Sequence, residues 1–237
     1  MNKRLSCIAA HVADGIGLID VGTDHGYLPL ALARRGYPGR LIASDINDGP
    51  LATARAAAEE AQLSERITFQ LCDGLDGCEP SAIDTIVIAG MGGDTICGIL
   101  DRAEWCMDPR YTLILQPMTR AEVLRYWLVN NGFTLTAEEL VEDAGRLYAI
   151  VIARYGGESR LTDAELFTGS AALLEGQLLF ARMLRQQTGR FEAMLKGLAC
   201  SDDGADRARS ALVQNILTQL KEMERHDDDG RDISVSV

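Results

Sequence analysis

The chain has 237 residues, 23 Lys and Arg against 35 Asp and Glu, and a formal net charge of −12. That length suffices for one sizeable core, or a core domain with an appendage. No apolar run reaches the roughly 18 residues of a membrane span, and the acidic balance argues against a uniformly basic nucleic-acid-binding surface, favouring on composition alone a small-molecule substrate.

Six cysteines (Cys7, Cys72, Cys78, Cys97, Cys106 and Cys200) are scattered without a C-x-x-C pair. They point to reduced, mostly packed thiols of a cytoplasmic protein, and with three histidines, none near a cysteine pair, no metal site is expected. The basic start, Lys3-Arg4, is followed by His11 and Asp14 with no small-residue cleavage site, which argues against a signal peptide.

A short amphipathic helix is expected over 3–13, with Leu5, Ile8, Ala9 and Val12 on one face, ahead of the first strand and able to cover a ligand crevice. Leu18, Ile19 and Val21 have strand character and run into Gly22-Thr23-Asp24-His25-Gly26, then a helical run over 27–35. Strand, tight turn and helix N-terminus present backbone N–H groups to a nucleotide-like ligand. The turn lacks the G-x-G-x-x-G of dinucleotide dehydrogenases. Asp20 and Asp24 would repel a pyrophosphate but attract the ammonium and sulfonium of S-adenosylmethionine. The stretch therefore predicts a methyltransferase cofactor site, against the plainer alternative of an ordinary strand-to-helix turn.

Gly36-Tyr37-Pro38-Gly39 ends the first helix. Residues 41–45 form a short buried strand ending in Asp45, which can accept both ribose hydroxyls of an adenosine or cap the next helix. An alanine-rich helix follows over 50–61, then a strand over 67–71 with Asp73-Gly74 at its tip. Asp73 can accept from an adenine amino group or simply form a turn. Residues 83–89 are apolar enough for a central parallel strand. They end in Gly90-Met91-Gly92-Gly93-Asp94, where glycines let a substrate approach the backbone, and a helix is expected over 94–103. A fifth strand over 111–115 leads into Gln116-Pro117-Met118. A helix over 120–130 and two strands near 133–135 and 147–152 complete the series. The expected class is α/β: a Rossmann-like sheet, mostly parallel with one antiparallel strand.

Near Gly156-Gly157 the composition changes. Thr162-Asp163-Ala164-Glu165 is a capping box expected to open one long amphipathic helix through Leu198. Residues 200–204 should break it, and a second helix with Leu212, Val213, Ile216, Leu217, Leu220 and Met223 should return as a coiled-coil-like antiparallel hairpin. Its basic residues, including Arg182, Arg185, Arg190 and Lys196, read either as a solvated face or as phosphate contacts. The tail from Asp227 is acidic and expected to be disordered. The divisions are thus 1–157, 158–226 and 227–237.

Asp-Val-Gly-Thr-Asp-His-Gly-Tyr-Leu-Pro at 20–29, Ser-Asp-Ile-Asn at 44–47, Ala-Gly-Met-Gly-Gly at 89–93 and Leu-Gln-Pro-Met at 115–118 together resemble the bacterial tRNA adenine N1-methyltransferases. Those enzymes modify adenine 22 with S-adenosylmethionine, and the resemblance spans nearly the whole chain, the helical hairpin included. It implies cofactor contacts at Asp20, Gly22, Thr23, Asp45, Ile46, Asp73, Gly74, Ala89 and Gly90. It also implies a target base facing Asp24, His25, Met91 and Gln116. Asp24, by its position in the first turn, and Gln116 are the candidate catalytic residues; Asp24 reads equally as a structural turn acid or as a contact to the cofactor's methionine part, and His25 as a turn residue. Family members often carry Gln-Pro-Asn where this chain has Gln116-Pro117-Met118. An Asn amide can hold the adenine edge; Met118 cannot, which leaves that part to Gln116. The acidic net charge is reconciled with tRNA if the hairpin's basic residues and Lys3 and Arg4 gather on one face. Two other readings remain at this stage: a methyltransferase for a small molecule or protein, and a noncatalytic RNA-binding module that keeps a cofactor pocket.

Overall fold

The structure is a computed structural model and describes residues 1–198 and 204–234. It divides into two compact units, Met1–Ser159 and Arg160–Val237. Among the described residues no helix is long and apolar enough to cross a membrane.

The first unit alternates helices and strands: α1 Lys3–His11, β1 Gly17–Val21, α2 Tyr27–Arg34, β2 Arg40–Asp45, α3 Asp48–Glu60, β3 Ile67–Leu71, β4 Thr85–Gly92, α4 Gly93–Arg102, β5 Thr112–Thr119, α5 Ala121–Asn130, β6 Phe133–Asp143 and β7 Arg146–Tyr155. The sheet order is β3-β2-β1-β4-β5-β7-β6. β1 to β5 are mutually parallel, and β7 runs antiparallel to both β5 and β6. The reversal has a local cause. Ala144 and Gly145 join β6 to β7 with φ of 48° and 76°, the two-residue left-handed turn that suits a hairpin and leaves no room for a crossover helix.

Both faces of the sheet are covered, which is why its strands read as near-continuous apolar runs. Leu18, Leu41, Val87, Ile114 and Ile150 belong to a core shared with Ile8 of α1 and Leu28 and Leu32 of α2. The alternate residues Ile19, Ile86, Ile88, Leu113 and Leu115 are fully buried as well, and α4 and α5 pack against β4 and β5. Inside this packing, Arg125 of α5 donates from Nε to Glu138 Oε1 of β6 at 2.7 Å, both side chains about 1% exposed.

Four strands run further than the sequence predicts: β6 reaches Asp143, β7 spans Arg146–Tyr155, and the two strands beside the site lengthen as well. β4 continues through Gly90 and Met91, and β5 through Gln116 and Pro117, with register shifts between Ala89 and Met91 and between Met91 and Gly92. Gly90, at φ 83°, supplies the left-handed residue such a bulge needs.

The second unit comprises α6 Asp163–Thr168, α7 Ala171–Leu174, α8 Phe180–Leu198 and α9 Gly204–Ser234. The capping box at Thr162 and Glu165 is present. The single helix expected from there to Leu198 is instead three pieces, because Gly169 at φ 99° and Gly176 at φ 78° take backbone conformations no helix accommodates. α8 and α9 pack antiparallel: Thr188 donates to Glu224 at 2.7 Å, and Lys221 pairs with Glu192 at 2.8 Å. Leu184 and Phe191 face a seam with Val213, Ile216, Leu217 and Leu220, all buried, and Phe167 meets Phe191 edge-on. Leu178 and Leu212, expected on the seam, are exposed. α9 carries on through Ser234, so the acidic tail expected to be disordered is helical over most of its length; an established helix extends at the cost of one residue's freedom per bond gained. The expected helix break at 200–204 lies mostly outside the described residues.

Candidate active site

The strand order reverses between β1 and β4, and a crevice opens where their carboxyl ends diverge, the place where open α/β sheets take ligands. It has a volume of about 760 Å³. Asp20, Gly22, Thr23, Asp24, Asp45, Ile46, Asp73, Gly74, Ala89 and Gly90 all line it. Of the residues expected to hold the cofactor or face the target base, Gln116 and His25 are absent from its walls.

The turn after β1 is built from two left-handed glycines. Gly22 (φ 70°) lets the chain bend so that its own N–H and that of Thr23 both donate to Ser44 O of β2, at 2.8 and 2.9 Å. Gly26 (φ 69°) begins α2, and a Cβ there would lie 2.9 Å from Ala54 Cβ. The bend drops Asp20 to the floor of the crevice, 5% exposed. Burial pushes its carboxyl up to about 7; the hydrogen bond donated by Thr23 Oγ1 to Asp20 Oδ2, at 2.6 Å, opposes that rise, and the neighbouring Asp45 adds to it. A buried acid held this way favours a cationic ligand that can share its charge. Thr23 thus spends its hydroxyl on Asp20.

Asp45, at the end of β2, is 8% exposed and accepts from the backbone N–H of Asn47 at 2.9 Å and of Asp24 at 3.4 Å. These donors fix the carboxylate while leaving acceptor capacity toward the crevice. Ile46 beside it is 61% exposed, an apolar shelf with no protein partner to cover it. Asp73 takes a hydrogen bond from Arg102 at 2.9 Å, so this acid reaches the crevice partly engaged. Cys72 also lines the wall, its thiol brought down to about 7 chiefly by the hydrogen bond from Cys78.

Asp24 is exposed at the mouth, at φ 54°, with His25 Nε2 3.7 Å from its Oδ1. His25 itself does not line the crevice; its ring lies against Tyr27, which does. Met91 projects into the crevice, close over Gly22.

Gln116 departs from its expected place. It is fully buried on β5, its Oε1 accepting from Arg4 and, at 3.2 Å, from the Gly90 N–H, while its Nε2 donates to Pro117 O at 2.7 Å. The amide is saturated within the fold and braces the β4 bulge rather than facing a base. Arg4, expected on a tRNA-facing surface, instead points inward to Gln116, to Met118 Sδ at 3.3 Å and over the Tyr148 ring. Arg4, Asn2 and Leu5 make α1 a wall of the crevice. A basic residue on an amphipathic helix carries no mark in the sequence of which way it turns, and the same holds for Ile99 and Arg102, which α4 contributes.

Buried and fixed carboxylates at two adjacent strand ends, glycine turns beneath them and an open apolar shelf fit S-adenosylmethionine. The sheet and site together define a methyltransferase of the Rossmann-like, S-adenosylmethionine-dependent class, and a family model described as a methyltransferase domain matches residues 1–151. The chain is 32% identical over 232 residues to the tRNA (adenine(22)-N(1))-methyltransferase of Bacillus subtilis, covering 95% of this chain and 98% of that protein. The crystal structure of the B. subtilis m1A22 tRNA methyltransferase superposes with a TM-score of 0.83 at 27% identity, over 94% of this chain and 98% of that one. A Streptococcus pneumoniae protein solved in complex with S-adenosyl-L-methionine gives 0.80 at 30% identity, over 94% and 99%. The chain belongs to the tRNA (adenine-22 N1)-methyltransferase family.

Proposed function

We propose that this chain transfers the methyl group of S-adenosylmethionine to N1 of adenine 22 in tRNA, in the cytoplasm. The observation that carries the reading is near full-length kinship to a tRNA (adenine(22)-N(1))-methyltransferase, combined with a crevice whose buried acids suit this cofactor. When bound, the cofactor supplies an activated methyl on a sulfonium.

The chain's own residues hold and align. Asp20 takes the ammonium end, Asp45 accepts the ribose hydroxyls, and Ile46 shelters an adenine face, with Asp73 at its edge. Gly22, Thr23, Gly74, Ala89 and Gly90 offer backbone at close range. Adenine N1 is itself a lone-pair nucleophile, so the main demands are in-line placement and exclusion of water. The base must leave any pairing to reach the mouth of the crevice. The methylated adenine is cationic, and Asp24 at that mouth stabilises the charge or takes a proton from the N6 amino group. Gln116 acts indirectly, by fixing the backbone at Gly90.

On α8, Arg182, Arg185, Arg190 and Lys196 are exposed. Arg182, Arg185 and Lys196 recur at spacings of three and eleven, which bring them onto one helix face, with Arg190 about 110° round from its centre. This stripe is the candidate phosphate contact, and it answers the net charge of −12: the acid is general, the basic strip local.

Purified protein incubated with methyl-labelled S-adenosylmethionine and unmodified bulk tRNA, then digested to nucleosides, should carry label in N1-methyladenosine. Cofactor binding with no label in that nucleoside would refute the reading and turn attention to a small-molecule or protein substrate.

A further inference from the structure

We propose that Cys7, His11 and Glu139 form a site for a thiophilic divalent cation, zinc(II) foremost, which fastens the N-terminal helix to the sheet beside the crevice. Cys7 and His11 lie four residues apart on α1, so their side chains leave the helix on the same side. Glu139 meets them from β6. Cys7 Sγ, a ring nitrogen of His11 and a Glu139 carboxylate oxygen all lie within 4.8 Å of one another, and all three residues are half-buried. His11 Nε2 is 2.7 Å from Glu139 Oε2.

The donor set selects the ion. One thiolate, one imidazole and one carboxylate suit zinc, whereas magnesium and calcium take oxygen ligands throughout. Bond lengths of about 2.0–2.3 Å in a tetrahedron separate neighbouring ligand atoms by about 3.5 Å. The three atoms already span that scale, so the His11–Glu139 contact must open by less than about 1 Å. Half-burial leaves the fourth position to water, the three-ligand arrangement of an open zinc site. Without an ion, the same residues make a hydrogen-bonded cluster around Glu139, which predicts no stoichiometric metal uptake.

The consequence is local to the crevice. The helix carrying Cys7 and His11 also brings Arg4 to Gln116 and Met118, and it walls the crevice with Asn2 and Leu5. An ion here would hold that wall against β6.

The full-length protein, reduced, stripped with a chelator and freed of it, is titrated with cobalt(II) alone and then with zinc(II) alone. One equivalent should bind, with a thiolate-to-cobalt charge-transfer band that zinc abolishes. Cys7→Ser should remove the band, and Glu139→Gln should weaken zinc binding at least about tenfold. The Cys72→Ser/Cys78→Ser variant, which lacks the other cysteine pair, should retain both. Circular dichroism in chelator establishes that each variant is folded; if Cys7→Ser is not, His11→Gln decides by the same readouts. Failure to bind one equivalent, a band that survives Cys7→Ser, or a band lost with Cys72 and Cys78 would overturn the proposal.

Discussion

Asp20 should make cofactor binding depend on pH in a way that no exposed carboxylate would. Its side chain is buried, receives one hydrogen bond, from Thr23, and has Asp45 for a neighbour. A rise from 3.8 to about 7 disfavours the ionised form by roughly 4 kcal/mol in the cofactor-free chain. An ammonium placed against Asp20 favours the ionised form, so binding releases a proton. If only that form binds, affinity falls as pH drops through about 7, by roughly 25-fold between about pH 7.5 and 5.5. Over that range the ligand's amino group, which ordinarily titrates at about 8, stays mostly charged and lowers that ratio by only about a third. The stability sign is opposite. The unfolded chain loses this proton near the ordinary carboxylate value and the folded chain holds it to about 7, so Asp20 lowers the stability of the free chain as pH rises from about 4 to about 7. Isothermal titration with S-adenosylmethionine across that pH range tests the first statement, and Asp20→Asn supplies the control. The variant should bind weakly with a flat profile, and its melting temperature should gain on the wild type as pH rises. A wild-type affinity unchanged between those pH values, or an Asn variant with the same slope, would refute the argument.

Asp45→Ala should lower cofactor affinity by roughly 1.5–3 kcal/mol, about ten- to a hundredfold, by titration, because it removes a charged acceptor at the ribose position. Asp24→Ala should leave cofactor binding within about twofold and reduce single-turnover methyl transfer by roughly 10²- to 10⁴-fold, the range for a positioned acid–base group; turnover that survives would remove Asp24 from the mechanism. Replacing Glu138 by Ala removes a buried carboxylate paired with Arg125 and should cost about 3–5 kcal/mol in denaturant unfolding. A fourfold change of Arg182, Arg185, Arg190 and Lys196 to Glu should abolish salt-sensitive tRNA binding while S-adenosylmethionine still binds. Unchanged tRNA affinity would return that strip to a solvated face.

The crevice is legible in the sequence because strand ends that carry crevice-lining carboxylates are marked twice, by an apolar run that stops and by the glycine that follows. Asp20 with Gly22, and Asp73 with Gly74, show this signature, and all four line the crevice. Gln116 carried no such mark. Its polar amide suggested a substrate contact, yet its neighbours Arg4 and Gly90 lie far away in sequence and consume its hydrogen-bonding capacity. Arg4 failed for the complementary reason: a charge near a terminus reads as surface until a buried acceptor and an aromatic face, Gln116 and Tyr148, are seen beside it. In the second unit, the heptad-like spacing revealed that α8 and α9 would pair. It did not reveal that Gly169 and Gly176 divide the segment ahead of α8, since a helical period runs through a glycine in sequence more easily than in space. The Cys7-to-His11 spacing was also visible, but its third partner, Glu139, comes from a distant strand.

The most direct test of the central claim compares two transcripts of one tRNA, with adenine or guanine at position 22, incubated with this protein and S-adenosylmethionine. A methyl group on N1 blocks the Watson–Crick edge, so primer extension should stop opposite position 22 of the adenine transcript and read through the guanine one. Equal stops on both transcripts, or label incorporated elsewhere with read-through at 22, would contradict the account.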